Sequence, residues 1–149
     1  MQKIYNLFVP AEYTFQNYFL PKVKNPILES FEVDGFRQGI QRRGNNHLVV
    51  FLDFCLKAPP EKFLEVAESE NFEFHFRTPS DVDIFRKKFA GQESVALYSL
   101  SYNPRMTVLA WKLLMDIADD GRILVENEDG TLMDGHACVE DLKQMMVTA

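Results

Sequence analysis

Between His47 and Lys57 the chain reads HLVVFLDFCLK. In an extended chain successive side chains point to opposite sides. Leu48, Val50, Leu52, Phe54 and Leu56 therefore share one side, and His47, Val49, Phe51, Asp53, Cys55 and Lys57 share the other. Val49, Phe51 and Cys55 make the second side apolar as well. A strand apolar on both sides has to lie inside a sheet that is covered on both faces for part of its length. Pro59 and Pro60 end it, and Pro60 is well placed to open a helix over 60–69, with Phe63, Val66 and Ala67 inward.

The remaining elements are read around that strand. Lys3–Val9 is a first strand stopped by Pro10. Ala11–Leu20, fenced by Pro10 and Pro21, is ambiguous from the sequence: Ala11, Phe15, Tyr18 and Phe19 fit one helical face, without a firm assignment. Ile27–Val33 and Phe36–Ile40 flank Asp34-Gly35, a dipeptide that favours a type I′ hairpin. Phe72–Arg77 alternates strictly, with Phe72, Phe74 and Phe76 on one side. Ser80 is the expected cap of the next helix, with Asp83 completing the capping box and Val82, Phe85 and Phe89 inward; Gly91 closes it. Glu93–Ser101 is a strand. Asn103-Pro104 opens a helix to about Ala118 whose buried stripe takes in Met106, Val108, Leu109, Ala110, Trp111, Leu113, Leu114 and Ile117. Arg122–Glu126 and Thr131–Met133 form a hairpin, and His136–Met146 a last amphipathic helix.

This order predicts an α+β fold: a single mixed or mainly antiparallel sheet with three to four helices packed mostly on one face. The 149 residues, with no repeat and no low-complexity linker, read as one domain over 1–149. Hydrophobic residues at 46% and 13 phenylalanines supply a core that needs no disulfide or metal. Cys55 reads as a core thiol, and the two cysteines make no disulfide framework. With no signal-peptide pattern and no long apolar run, the expected location is the cytoplasm, away from membranes.

The net charge is −6, and nine acidic residues stand against one base, Arg122, between Asp116 and Asp141. Such a stretch repels nucleic acid and anionic lipid and attracts a basic protein surface. Asp116, Asp119, Asp120, Glu126, Glu128, Asp129 and Asp134 are accordingly the candidate partner-binding residues. The basic runs Arg37–Arg43 and Arg86–Lys88 read as solvated surface. The eight aromatics between Tyr5 and Phe36 fit either core or an interface.

Motifs for chemistry fail at named positions. In an EF-hand register Gly130 would put Val125 at the first ligand position and His136 at the twelfth, and Gly121 would put Ala118 at the third and Asn127 at the twelfth. His47, His75 and His136 form no H-x-x-x-H pair, and there is no C-x-x-C. No phosphate loop or serine elbow occurs. Neither a metal nor a cofactor is expected. One trio is left: Asp53, Cys55 and His75 could meet on one sheet face if their strands are neighbours, giving a small-ligand binder or an enzyme.

The leading expectation is a non-enzymatic protein-binding domain with a basic partner. In size and composition the chain is similar to the immunity proteins that neutralise bacterial toxin domains, and the resemblance implies an inhibitor of a basic protein. The alternative is a homo-oligomeric structural or accessory protein that associates through a sheet edge or the aromatic segment. The trio at Asp53 is the third reading.

Overall fold

In a computed structural model the structure describes residues 3–24, 29–33, 37–43, 49–66 and 78–148. The chain begins with strand β1 (Lys3–Pro10). A π-helical turn, Phe15–Phe19, then runs on as Leu20–Lys22 to form α1. Strands β2 (Glu29–Val33), β3 (Arg37–Arg43) and β4 (Val49–Ala58) follow, then helices α2 (Pro60–Val66) and α3 (Pro79–Lys88) and strand β5 (Val95–Tyr102). A 3₁₀ turn, Pro104–Met106, enters α4 (Thr107–Ile117), and strands β6 (Leu124–Glu126) and β7 (Leu132–Asp134) lead to α5 (Gly135–Thr148).

The described strands join one sheet in the order β2-β3-β4-β5-β1-β6-β7, and each neighbouring pair is antiparallel. The fold is α+β. Among the described residues there are five helices rather than three to four, because Phe15–Lys22 forms one of its own. It starts at Thr14, whose hydroxyl accepts from the Asn17 N–H while the Asn17 side chain accepts from the Thr14 N–H. Pro21 stands at the start of the segment Leu20–Lys22, within the first turn of that segment, where a missing N–H is tolerated.

Strand alternation divides the core in two. Tyr5, Leu7 and Val9 of β1, Ala96, Tyr98, Leu100 and Tyr102 of β5, and Val50 and Leu52 of β4 face α1, α4 and α5. Phe8, Val95, Leu97 and Leu124 point the other way, onto Phe63 of α2 and Phe85 and Phe89 of α3. There the rings of Phe8, Phe63 and Phe85 meet pairwise at 5.4–5.9 Å between centroids. Each fully buried ring of this kind contributes about 1.5–3 kcal/mol by leaving water.

Four sequence expectations change. The β4–β5 register shifts between Phe54 and Leu56, so the strand carries a bulge at Cys55. Leu52 and Phe54 face α4 and α5, but Leu56 and Ala58 turn to the α2–α3 side, so Leu56 does not share a side with Leu52. Helix α3 is capped by Thr78, not Ser80, with Asp81 as the reciprocal partner. Pro79 at the first helical position, with its φ preset for a helix, starts the helix two residues earlier. Val108 is 48% exposed and lies outside the α4 stripe. Val33 pairs with Arg37, which leaves three residues between the β2 and β3 ladders instead of the two of a type I′ hairpin. The turn itself, 34–36, and the strand expected over 72–77 lie outside the described residues. Among the described residues no helix is long and apolar enough to cross a membrane.

Candidate functional site

Two places concentrate polar chemistry. The first is a row across the middle of the sheet. Asp53 on β4 stands opposite Ser99 on β5, Ser99 opposite Asn6 on β1, and Asn6 opposite Glu126 on β6. Residues paired in this way share a face, and this face also carries Phe8 and Leu97 one pleat away. Asn6, Asp53 and Glu126 are only 4%, 4% and 3% exposed, and they are the buried polar residues among those described.

Their hydrogen bonds run in sequence. The Cys55 thiol donates to Ser99 Oγ at 3.3 Å, the Ser99 hydroxyl to Asn6 Oδ1 at 2.7 Å, and the Asn6 amide to Glu126 Oε1 at 3.0 Å. Alternation along β4 puts Cys55 on the same face as Asp53, whose partner is Ser99. Asp53 and Cys55 do come together as neighbours of Ser99, while His75 lies outside the described residues. The Ser99 hydroxyl gives its proton to an amide oxygen, which is no base. That bond links β5 to β1 and does not activate the Ser99 hydroxyl as a nucleophile.

The second place is the acidic edge formed by the loop 118–122, the β6–β7 hairpin and α5. Asp116 accepts from the Lys24 backbone N–H at 3.2 Å. Asp119 lies 2.6 Å from His136 Nδ1. Asp120 accepts at Oδ2 from the hydroxyls of Tyr13 (2.8 Å) and Tyr18 (3.2 Å), and at Oδ1 from the Arg122 N–H. Glu128 pairs with Lys3 at 2.8 Å and accepts from the Tyr102 hydroxyl. Asp134 caps α5 by accepting from the Ala137 N–H at 2.9 Å. Asp129 is exposed in the turn, where its N–H donates to Asn127 Oδ1. Glu140 and Asp141 are exposed on α5.

Glu126 is the exception. It belongs to the interior row, so it cannot be a surface contact as the charge count suggested. In a turn-rich run, E-N-E-D-G, its alternation with buried Leu124 was the available signal. Asn6, Ser99 and Glu126 all went unrecognised as one group, since nothing local joins residues this far apart in sequence.

The electrostatics follow the geometry. Burial pushes the Asp120 carboxyl up, but the Arg122 N–H, the two tyrosine hydroxyls and the Arg122 charge together hold it below the usual carboxylate range. Burial, then the Asp120 charge and its hydrogen bond, raise the Tyr18 hydroxyl well above normal. Burial also pushes the Cys138 thiol up to about 12, with Asp141 and Asp134 adding to it. No group of three or more His, Cys, Asp or Glu side chains among the described residues is arranged to hold a metal ion. No protein-family model, no curated protein and no solved structure matches this chain.

Proposed function

We propose that the chain is a non-enzymatic protein-binding domain of the cytoplasm whose acidic edge meets a basic surface on its partner. Asp116, Asp119, Asp120, Glu128, Asp129 and Asp134 remain the contact candidates, joined by Glu140 and Asp141. The observation that supports this reading best is that Asp119, Glu128, Asp129, Glu140 and Asp141 are exposed around one short hairpin and one helix at the end of the sheet. β6 has three residues, so its two ends lie only about 7 Å apart, and the loop before it stays close to the hairpin turn after it. Complementary fields over such distances steer association and suppress wrong partners. The anchoring of Asp120 and Glu128 by neighbouring side chains adds rigidity, which lowers the entropy cost of binding. An inhibitor of a basic protein, in the manner of the immunity proteins this chain is similar to in size and composition, fits the same surface.

The test is capture from a lysate of the native host with the folded chain as bait. A basic protein released by rising salt supports the reading, and a well-folded bait that recovers none counts against it.

A further inference from the structure

The loop 118–122 touches more of the molecule than its length suggests. Asp120 holds Tyr13 and Tyr18 of the α1 region, the Gly121 carbonyl accepts from Lys88 Nζ of α3 at 2.6 Å, and Arg122 reaches Glu12 at 2.8 Å. Its remaining tie is to α5. Asp134 is the cap of that helix, which places His136 in the first turn, and His136 Nδ1 sits 2.6 Å from Asp119 Oδ1. The imidazole also lies over Gly121: a Cβ at that glycine would come within 3.3–3.4 Å of ring atoms Cδ2 and Nε2. Gly135 beside it donates its N–H to the Ile123 carbonyl, and its bare Cα faces the carbonyl oxygens of Ala118 and Asp120.

We propose that His136 and the loop 118–122 form a proton-operated clasp: protonated His136 holds the Asp119 side of the loop tightly against the first turn of α5, and neutral His136, without its charge, holds it more loosely.

The groups around the imidazole decide the sign. Asp119 and Asp120 face it from the loop and Asp134 from β7. Glu140 lies one turn along α5, and on the far side Lys88 of α3 reaches the Gly121 carbonyl and Arg122 is taken up by Glu12. The partial positive charge of a helix N-terminus disfavours a cation there, but the Asp119 carboxylate at hydrogen-bond range and the charges of Asp134 and Asp120 outweigh it. The hydrogen bond to Asp119 raises the His136 pKa above its ordinary value; loss of water around the ring opposes it, and the charges of Asp119, Asp134 and Asp120 add to the rise.

A pKa raised in the folded chain means that the charged hold of the clasp is complete below the ordinary histidine value of about 6.5 and is lost as pH rises through the higher folded value. Asp120 is held low and Arg122 high, so the ties through them do not titrate in that window and loosening is confined to Asp119 and its neighbours. Both partners are well exposed, 62% and 55% for the side chains, so the change is modest and sensitive to salt.

The test is an NMR titration between about pH 5.5 and 8.5, across the histidine range, with amide-exchange protection measured over residues 119–122. His136 is expected to titrate above the ordinary histidine value and to fall back toward it in Asp119→Asn. Protection of the loop amides should drop roughly two- to fivefold through that titration, the size of an exposed ion pair, and stay level in His136→Gln. The proposal is overturned if His136 titrates at the ordinary value, if Asp119→Asn leaves that value unchanged, or if loop protection is flat in the wild type or falls equally in His136→Gln.

Discussion

The ring of Tyr13 lies nearly parallel to that of Tyr18, with centroids 4.0 Å apart, and the two hydroxyls converge on one oxygen of Asp120. Arg122 covers the outer face of this pair at Tyr13, 5.2 Å from the ring, and Lys22 approaches Tyr18 at 4.8 Å. Two rings, the Arg122 guanidinium and one carboxylate thus tie the N-terminal helical region to the loop before β6. Asp120 is in this sense a structural residue first, and a surface charge second.

Asp120→Asn should therefore destabilise the fold, by about 1–2 kcal/mol near neutral pH for weakened bonds to a charged acceptor. A carboxyl held low when folded adds stability above its unfolded pKa of about 3.9, and that stability is lost as pH falls through the lower folded value. The gap between wild type and variant should narrow below about pH 4 in urea unfolding curves. A gap that does not change with pH would contradict the depressed carboxyl.

The interior row gives a sharper test. Ser99→Ala removes the donor to Asn6 Oδ1 and the acceptor for the Cys55 thiol. Loss of a hydrogen bond among groups this buried costs about 1–3 kcal/mol, so the denaturation midpoint should fall while the slope of the transition stays the same. A stability within error of wild type would mean that the row does not hold the four strands in register.

Helix α3 separates two candidate caps. Thr78→Ala should cost about 1 kcal/mol. Ser80→Ala, at an exposed site inside the helix, should stay within about 0.5 kcal/mol of wild type. Thermal or chemical denaturation of both variants measures the difference directly.

The two thiols should also differ. Cys138 is 1% exposed and its thiol is pushed up to about 12, so the reactive thiolate is scarce. Alkylation of the native protein at about pH 8, read by mass spectrometry, should leave Cys138 unmodified until the chain is unfolded.

These cases show what was legible in the sequence. β4 and α4 could be read because their apolar periodicity is strong and self-contained; Leu52 and Leu113 needed no knowledge of their neighbours. The bulge at Cys55 could not be read, because it exists only as a mismatch with β5, and it reverses the side taken by Leu56. The cap at Thr78 was present in the sequence as T-P-S-D, with the proline rather than the serine as the informative residue. The row from Asp53 to Glu126 depends on the registers of three strand pairs, and no local pattern carries a register between segments about a hundred residues apart. For the same reason Glu126 counted as surface charge until the sheet placed it inside. The acidic edge itself was legible as composition; which of its carboxylates face outward was not.

The central claim is that the outward carboxylates select a basic partner. The most direct measurement is quantitative capture from native-host lysate with wild-type bait and with a bait carrying Asp119→Asn, Asp129→Asn, Glu140→Gln and Asp141→Asn, both checked for equal folding by circular dichroism. The account predicts a basic protein bound to the wild type, eluted by salt and lost from the variant. A basic partner held equally by both baits, or no basic partner at all, would contradict it.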